Sequence, residues 1–342
     1  MVALPGIINK EYFMEKEAQY YEKRDDGKIA CRLCPNNCII ASGKTGICGV
    51  RKNRDGTLYT MIYGEVSSIA MDPIEKKPLY HFYPGSSILS IGTVGCSFKC
   101  QFCQNYTISQ NPGHPTDYYS PDDLVRNARK NNSVGIAYTY SEPLIWYEFV
   151  IDTCMIAREA GLKNVFVTNG YINLEPLAGL LPFADAFNID LKSINADFYR
   201  KVTGGKLKPV LDTIEEVSKH KGIDMEVTTL IIPGYNDSST EMEKLTGFIA
   251  SISKDIPYHL SAYYPMYKFS APPTPIATLE RIKEIAKAKL NYVYLGNVRG
   301  DSNTYCHNCG STLVERSGYY IKVLNYKQGK CTKCSESVPI IG

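Results

Sequence analysis

The sequence predicts an α/β protein built on a partial, TIM-like (β/α)6 barrel, preceded by a cysteine-rich metal-binding segment and followed by a short zinc-ribbon-like tail. Three observations carry this expectation. From about residue 86 onward, short β-branched runs alternate with helical patterns. Repeated β-α units joined by right-handed crossovers require a parallel sheet, and six or seven of them suggest a barrel that is not fully closed. The cysteines fall almost entirely into three clusters, one at each end of the chain and one inside the alternation.

Residues 1–85 form the N-terminal segment. It contains the first cluster, then TLYTMIYGEVSSIAMDP, which reads as a small β unit, and then the EKKPLYHFYPG loop. Residues 86–300 form the barrel. SILSIGTVG, VGIAYTYS, NVFVTNG, AFNIDLKS, DMEVTTLIIPG, YHLSAYYP and NYVYLGNV are its strands, each bounded by Gly, Pro or polar turns. PDDLVRNARKN, PLIWYEFVIDTCMIAREAG, LEPLAGLLPFA, KPVLDTIEEVSKHKG, SSTEMEKLTGFIASISK and TLERIKEIAKAKL are its helices. Residues 301–342 form the tail.

Two strands depart from the pattern of a filled barrel. In FNIDLKS, period-2 alternation groups Asn188, Asp190 and Lys192 on one face, and in HLSAYY it groups His259, Ser261 and Tyr263. A closed barrel fills its interior with branched apolar residues. Polar groups there predict an interior that holds a ligand; an Asp190–Lys192 pair in a wet barrel mouth is the plainer alternative.

The 342 residues, 44% of them hydrophobic, are ample for a large core, and a net charge of +3 with no long charge block gives no footprint for nucleic acid, membrane or polyanionic substrates. The N-terminal stretch MVALPGIINKEYFMEKE lacks the basic, apolar and small-residue order of an export signal, and no apolar run reaches the length of a membrane span. The chain is therefore expected in the cytoplasm, where clustered cysteines bind metals rather than form disulfides.

In the tail, Cys306-x2-Cys309 and Cys331-x2-Cys334 match two knuckles closing a tetrahedral Zn2+ site, which gives a short segment the staple its small core needs. The N-terminal Cys31, Cys34, Cys38 and Cys48 suit either Zn2+ or an auxiliary iron–sulfur cluster. The central set, Cys96, Cys100 and Cys103 in GCSFKCQFCQN, has no fourth cysteine nearby. A [4Fe-4S] cluster on three thiolates leaves one iron open, and this set follows the first barrel strand, at the end of the fold where active sites form. Cys154 lies within a helical pattern and reads as a buried structural thiol.

Cys96-x3-Cys100-Gln101-Phe102-Cys103 resembles the signature of the radical SAM superfamily. Over nearly its whole length the chain is similar to the radical SAM member of the AmmeMemoRadiSam group, related to pyruvate formate-lyase activating enzymes, through CRLCPNNC, GICGVR, DPIEKKPLYHFYPG, GCSFKCQFCQN, TYSEP, VTNG, DLK, IIPGYND, YVYLGNV and TYCHNCG. The resemblance implies a radical SAM barrel with a [4Fe-4S] cluster on Cys96, Cys100 and Cys103. It also implies S-adenosylmethionine on the open iron, cleaved by one electron to a 5'-deoxyadenosyl radical that abstracts hydrogen from a substrate. By the same resemblance Phe102 packs near the adenine, Ser141 and Glu142 hold the ammonium, and Lys192, two residues after Asp190, holds the carboxylate. Asn169 lies near the ribose and methionine moiety, and Ile231 flanks the adenine. Ser141 stands where relatives carry glycine. Tyr267 and Lys268 lie where an activating enzyme carries histidine and lysine. Lys77, His81 and Tyr83 are expected either to line the substrate entrance or to belong to a surface linker.

The leading functional expectation is thus hydrogen abstraction from a protein, peptide or metabolite, with an external one-electron reductant of the ferredoxin or flavodoxin type. An RNA-modifying enzyme of the same superfamily, with the peripheral metal modules gripping nucleic acid, is one alternative. A non-catalytic iron–sulfur electron carrier is the other, although its cluster would normally be fully ligated.

Overall fold

The computed structural model describes residues 16–342. Most of the N-terminal stretch read for an export signal, residues 1–15, lies outside the described residues. All seven expected barrel strands form, and an eighth joins them. They are β1 (Ser68–Pro73), β2 (Ser87–Gly92), β3 (Gly135–Tyr138), β4 (Lys163–Thr168), β5 (Ala186–Asp190), β6 (Asp224–Ile231), β7 (Tyr258–Ala262) and β8 (Val293–Gly296). Strands β2 to β8 are parallel and neighbour one another in sequence order, while β1 pairs antiparallel with β2 at the edge. Strand β1 comes from the segment read as a separate small β unit. Among the described residues β1 and β8 do not pair, so the barrel stays open.

Six helices make the crossovers: α1 (Pro121–Lys130), α2 (Tyr147–Glu159), α3 (Leu174–Leu180), α4 (Leu207–Ser218), α5 (Ser239–Ile252) and α6 (Ile276–Lys287). Their starts follow local chemistry. Ser120 and Asp123 form a reciprocal capping box at α1, with Pro121 in the first turn. Ser238 caps α5 by accepting from the Glu241 amide. In α4, Val210, Thr213, Ile214 and Val217 are buried at helical spacing, which turns one stripe onto the sheet.

The interior has two storeys. Below, Ile74, Leu79 and Phe82 from the loop between β1 and β2 pack with Ile88, Ala137, Val165 and Ala186. The same loop carries His81 into a buried polar cluster, where its Nε2 lies 2.7 Å from the Tyr294 hydroxyl and its Nδ1 lies 3.0 Å from the Pro339 carbonyl. Glu226 accepts from the His81 amide (2.7 Å) and lies 2.5 Å from His259 Nε2. His81 is therefore neither at the entrance nor on the surface, and the Tyr83 amide donates to the Ile341 carbonyl. His259 belongs to this lower storey, apart from Ser261 above it.

The tail closes the barrel floor. Strands Thr304–Tyr305, Thr312–Ser317 and Tyr320–Val323 form an antiparallel sheet. From it the buried Arg316 guanidinium donates to the Tyr80 carbonyl (2.6 Å), to Thr304 Oγ1 (2.7 Å) and to the Ser302 carbonyl (3.0 Å). A buried cation satisfied this way fixes the tail to the loop that plugs the interior. Among the described residues no helix is long and apolar enough to cross a membrane.

Candidate active site and cysteine clusters

Above the plug, the C-terminal ends of the strands surround a cavity of about 350 Å³. Cys96, Cys100 and Cys103 reach it from the loop after β2, the position the fold reserves for reactive groups. The loop is pinned by its backbone: the Gly95 amide donates to Ile108 (2.9 Å), Lys99 to Thr203 (2.7 Å) and Gln101 to Val202 (3.1 Å). Burial raises the Cys96 thiol well above its ordinary range and pushes Cys100 up to about 12. Burial thus disfavours the free thiolate of both, and a cation beside them would reverse that preference.

Across the cavity, Lys192 Nζ lies 2.8 Å from Asp190 Oδ2 and 6.0 Å from the centre of the Phe102 ring. Burial alone would lower Lys192, but the Asp190 carboxylate beside it holds it above the usual lysine value. Glu142 is buried after β3, where its carboxylate accepts from Thr168 Oγ1 (2.6 Å), the Asn169 amide (2.9 Å) and the Leu144 amide (3.0 Å). Burial still pushes it up to about 7, against these hydrogen bonds. The Asn169 side chain donates to Ser97 Oγ at 3.1 Å, with Cys96 Sγ at 3.6 Å.

Of the residues expected to meet a cofactor, Phe102, Ser141, Glu142, Asn169, Asp190 and Lys192 line this one cavity with the three cysteines. Ile231 does not. It is buried on the other face of β6, and strand alternation brings Leu230 and Thr228 inward instead. Lys77 lines the cavity as a buried residue paired with Asp72 at 2.7 Å; Tyr267 is exposed and stacks on Tyr106. Sequence reading missed Tyr140, whose hydroxyl donates to Asp72 (2.6 Å) and whose backbone adopts a left-handed φ of 68°. The next residue, Ser141, has a buried Oγ with no hydrogen-bond partner, as does Thr228 Oγ1. A zwitterionic ligand fits this set, since an ammonium-carboxylate pair and two residues with unpartnered buried hydroxyls line one space beside the thiols.

The other cysteine sets are separate. Cys306, Cys309, Cys331 and Cys334 have all four sulfurs within 4.8 Å of one another, with Cys306–Cys334 at 3.6 Å and Cys309–Cys331 at 3.7 Å. A tetrahedral zinc with bonds of about 2.3 Å spaces its sulfurs about 3.8 Å apart. His307 faces Tyr292 (3.0 Å) rather than this group. Cys31, Cys34, Cys38 and Cys48 lie in the N-terminal segment beside the central loop, and Cys154 is fully buried in α2.

Residues 90–245 match the family model described as the Radical SAM superfamily. An uncharacterized protein of Methanocaldococcus jannaschii is 46% identical over 335 residues, which cover 95% of this chain and 99% of that protein. A pyruvate formate-lyase-activating enzyme of Clostridium pasteurianum is 24% identical over 176 residues, 48% of this chain and 72% of the relative. Among solved structures, Streptococcus suis SuiB bound to its precursor peptide SuiA superposes with a TM-score of 0.51 at 14% identity, covering 66% of this chain and 52% of SuiB.

Proposed function

From the premise that the chain belongs to the radical SAM superfamily, we propose that Cys96, Cys100 and Cys103 hold a [4Fe-4S] cluster with S-adenosylmethionine beside it. The enzyme then abstracts hydrogen from a substrate at the open mouth. Bound there, the cluster supplies one electron to the sulfonium, releasing methionine and the 5'-deoxyadenosyl radical that takes the hydrogen.

One observation carries this reading: the three cysteines share a single cavity with the Lys192–Asp190 pair and with Ser141 and Thr228, whose buried hydroxyls have no partner. Lys192 binds the amino-acid carboxylate, and Asp190 fixes the direction of its ammonium. Ser141 Oγ and Glu142 face the amino group. Phe102 and Leu230 give the adenine its apolar walls, and Asn169, tied to Ser97, borders the ribose. The plugged floor keeps water out from below.

The likeness to the Clostridium pasteurianum activating enzyme supports a protein substrate and an external one-electron donor of the ferredoxin or flavodoxin type. A pure electron carrier has no use for a cavity beside its cluster, and a net charge of +3 gives an RNA substrate no electrostatic footprint. The tail set is assigned to structural zinc from its sulfur spacing.

The test is anaerobic reconstitution with iron and sulfide, followed by dithionite and S-adenosylmethionine. The wild type forms 5'-deoxyadenosine, and the Cys96→Ala, Cys100→Ala and Cys103→Ala variants form none. An iron-loaded wild type that also forms none overturns the reading.

A further inference from the structure

The N-terminal cysteines carry a further inference. Cys31 ends a strand (Ile29–Cys31) paired with Ile39–Ile40, and its amide donates to the Cys38 carbonyl at 2.9 Å. The Ile47 amide lies 3.4 Å from Cys38 Sγ. Amides turned toward sulfur stabilise thiolates, as metal sites require.

Arg51 supplies an independent sign. It is buried, and its Nη2 donates to Glu148 Oε1 (2.7 Å) and to the Gln19 carbonyl (2.7 Å). Its Nε and Nη1 have no partner. It opens the strand Arg51–Arg54, three residues after Cys48. A buried guanidinium with two idle donors calls for an anion on that side. A tetrathiolate metal group carries net negative charge and supplies one.

The three sets differ in spacing. Among the described residues, the tail set is the group of metal-capable side chains whose ligand atoms all fall within 4.8 Å, the compactness of a single zinc. The N-terminal four are not drawn together that tightly. Neither are Cys96, Cys100 and Cys103, which the superfamily motif assigns to a four-iron cluster. The two wider sets are also neighbours: Asn36 Nδ2 donates to the Ser97 carbonyl at 2.8 Å, and a Cβ on Gly95 would lie 2.7 Å from the Cys48 carbonyl.

We propose that Cys31, Cys34, Cys38 and Cys48 hold a second, fully ligated [4Fe-4S] cluster that passes electrons to the cluster on Cys96, Cys100 and Cys103. The relay role rests on the function proposed above. An external low-potential one-electron protein donor reduces the N-terminal cluster, and the same electron moves on to the catalytic one. No bond is made or broken at either site.

Metal content and spectra of the anaerobically reconstituted full chain test the site without activity. The wild type holds about eight irons, and the Cys96→Ala/Cys100→Ala/Cys103→Ala variant keeps about four, as a reducible cluster whose electron paramagnetic resonance signal ignores S-adenosylmethionine. A triple variant with no iron and an added zinc overturns the proposal while leaving the catalytic reading intact. A triple variant that keeps all the wild-type iron sinks the catalytic reading instead. For the relay, the Cys31→Ala/Cys34→Ala variant, shown to retain its central cluster, forms 5'-deoxyadenosine at least tenfold more slowly than wild type with reduced flavodoxin; an equal rate overturns the relay.

Discussion

Lys192 Nζ stands 2.8 Å from Asp190 Oδ2, and its side chain is 13% exposed, so an ammonium is held at the cavity wall by a carboxylate two residues earlier on the same strand end. The pair leaves donor capacity for a second anion, since an ammonium has three protons to offer. Lys192→Met keeps the stem and removes the charge. A charged hydrogen bond contributes about 1.5–3 kcal/mol, so S-adenosylmethionine binding should weaken by about 10- to 100-fold. Iron content should not change. Anaerobic equilibrium dialysis measures this, and an unaltered Kd places the carboxylate elsewhere.

Gly95 links two cysteine loops. Its φ is +86°, and an added Cβ would come within 2.7 Å of both the Cys48 carbonyl and Val50 Cγ1. Backbone on one side and a packed core on the other leave little room to yield. Gly95→Ala should therefore destabilise the fold by about 1–3 kcal/mol and push the loop carrying Cys96 away from the N-terminal segment. Thermal unfolding with iron analysis of reconstituted protein checks both effects; an alanine variant of wild-type stability and iron content contradicts the tight approach.

The strand-helix alternation was legible because each strand is a short β-branched run and each helix has its stripe and cap. That the central cysteines belong to one site was legible because their spacing is rare, and the structure brings all three to one cavity. Other features depend on three-dimensional closeness. Ile231 and Leu230 are equally apolar, and only the phase of the strand decides which one faces the cavity. His81 looks like a loop histidine until the tail folds beneath the barrel and supplies the Pro339 carbonyl. Tyr140 bears no motif, and its role comes from meeting Asp72, 68 positions earlier.

Arg316 fastens the tail. Its guanidinium serves Tyr80, Thr304 and Ser302, and its Nε lies 3.9 Å from Glu75. Arg316→Met strands these acceptors and leaves Glu75 without its cation, for a loss of about 3 kcal/mol. The tail should then be clipped by trypsin faster than in wild type. Limited proteolysis followed by mass spectrometry reads the cleavage, and equal rates would show that the four-cysteine knuckle, not Arg316, holds the tail down.

The lower storey predicts the alkaline limb of stability. Burial pushes His81 and His259 down to about 3, and it raises both Glu226 and Asp224. The two histidines fold neutral, so stability rises with pH between about 3 and their unfolded value near 6.5. The two carboxyls fold protonated, so they stabilise below their unfolded values and that contribution is lost as pH rises through their folded ones. Above about 6.5 the histidines no longer offset this, and stability falls. Glu226→Gln removes one of the protons involved while keeping an acceptor for the His81 amide. The decline between pH 6.5 and 8 should then be shallower by up to about 1.4 kcal/mol per pH unit, the value for one proton. Denaturant unfolding at half-unit pH steps measures the slope. Identical limbs in the two proteins would mean that Glu226 is ionised in the fold and that its 2.5 Å contact with His259 is an ion pair.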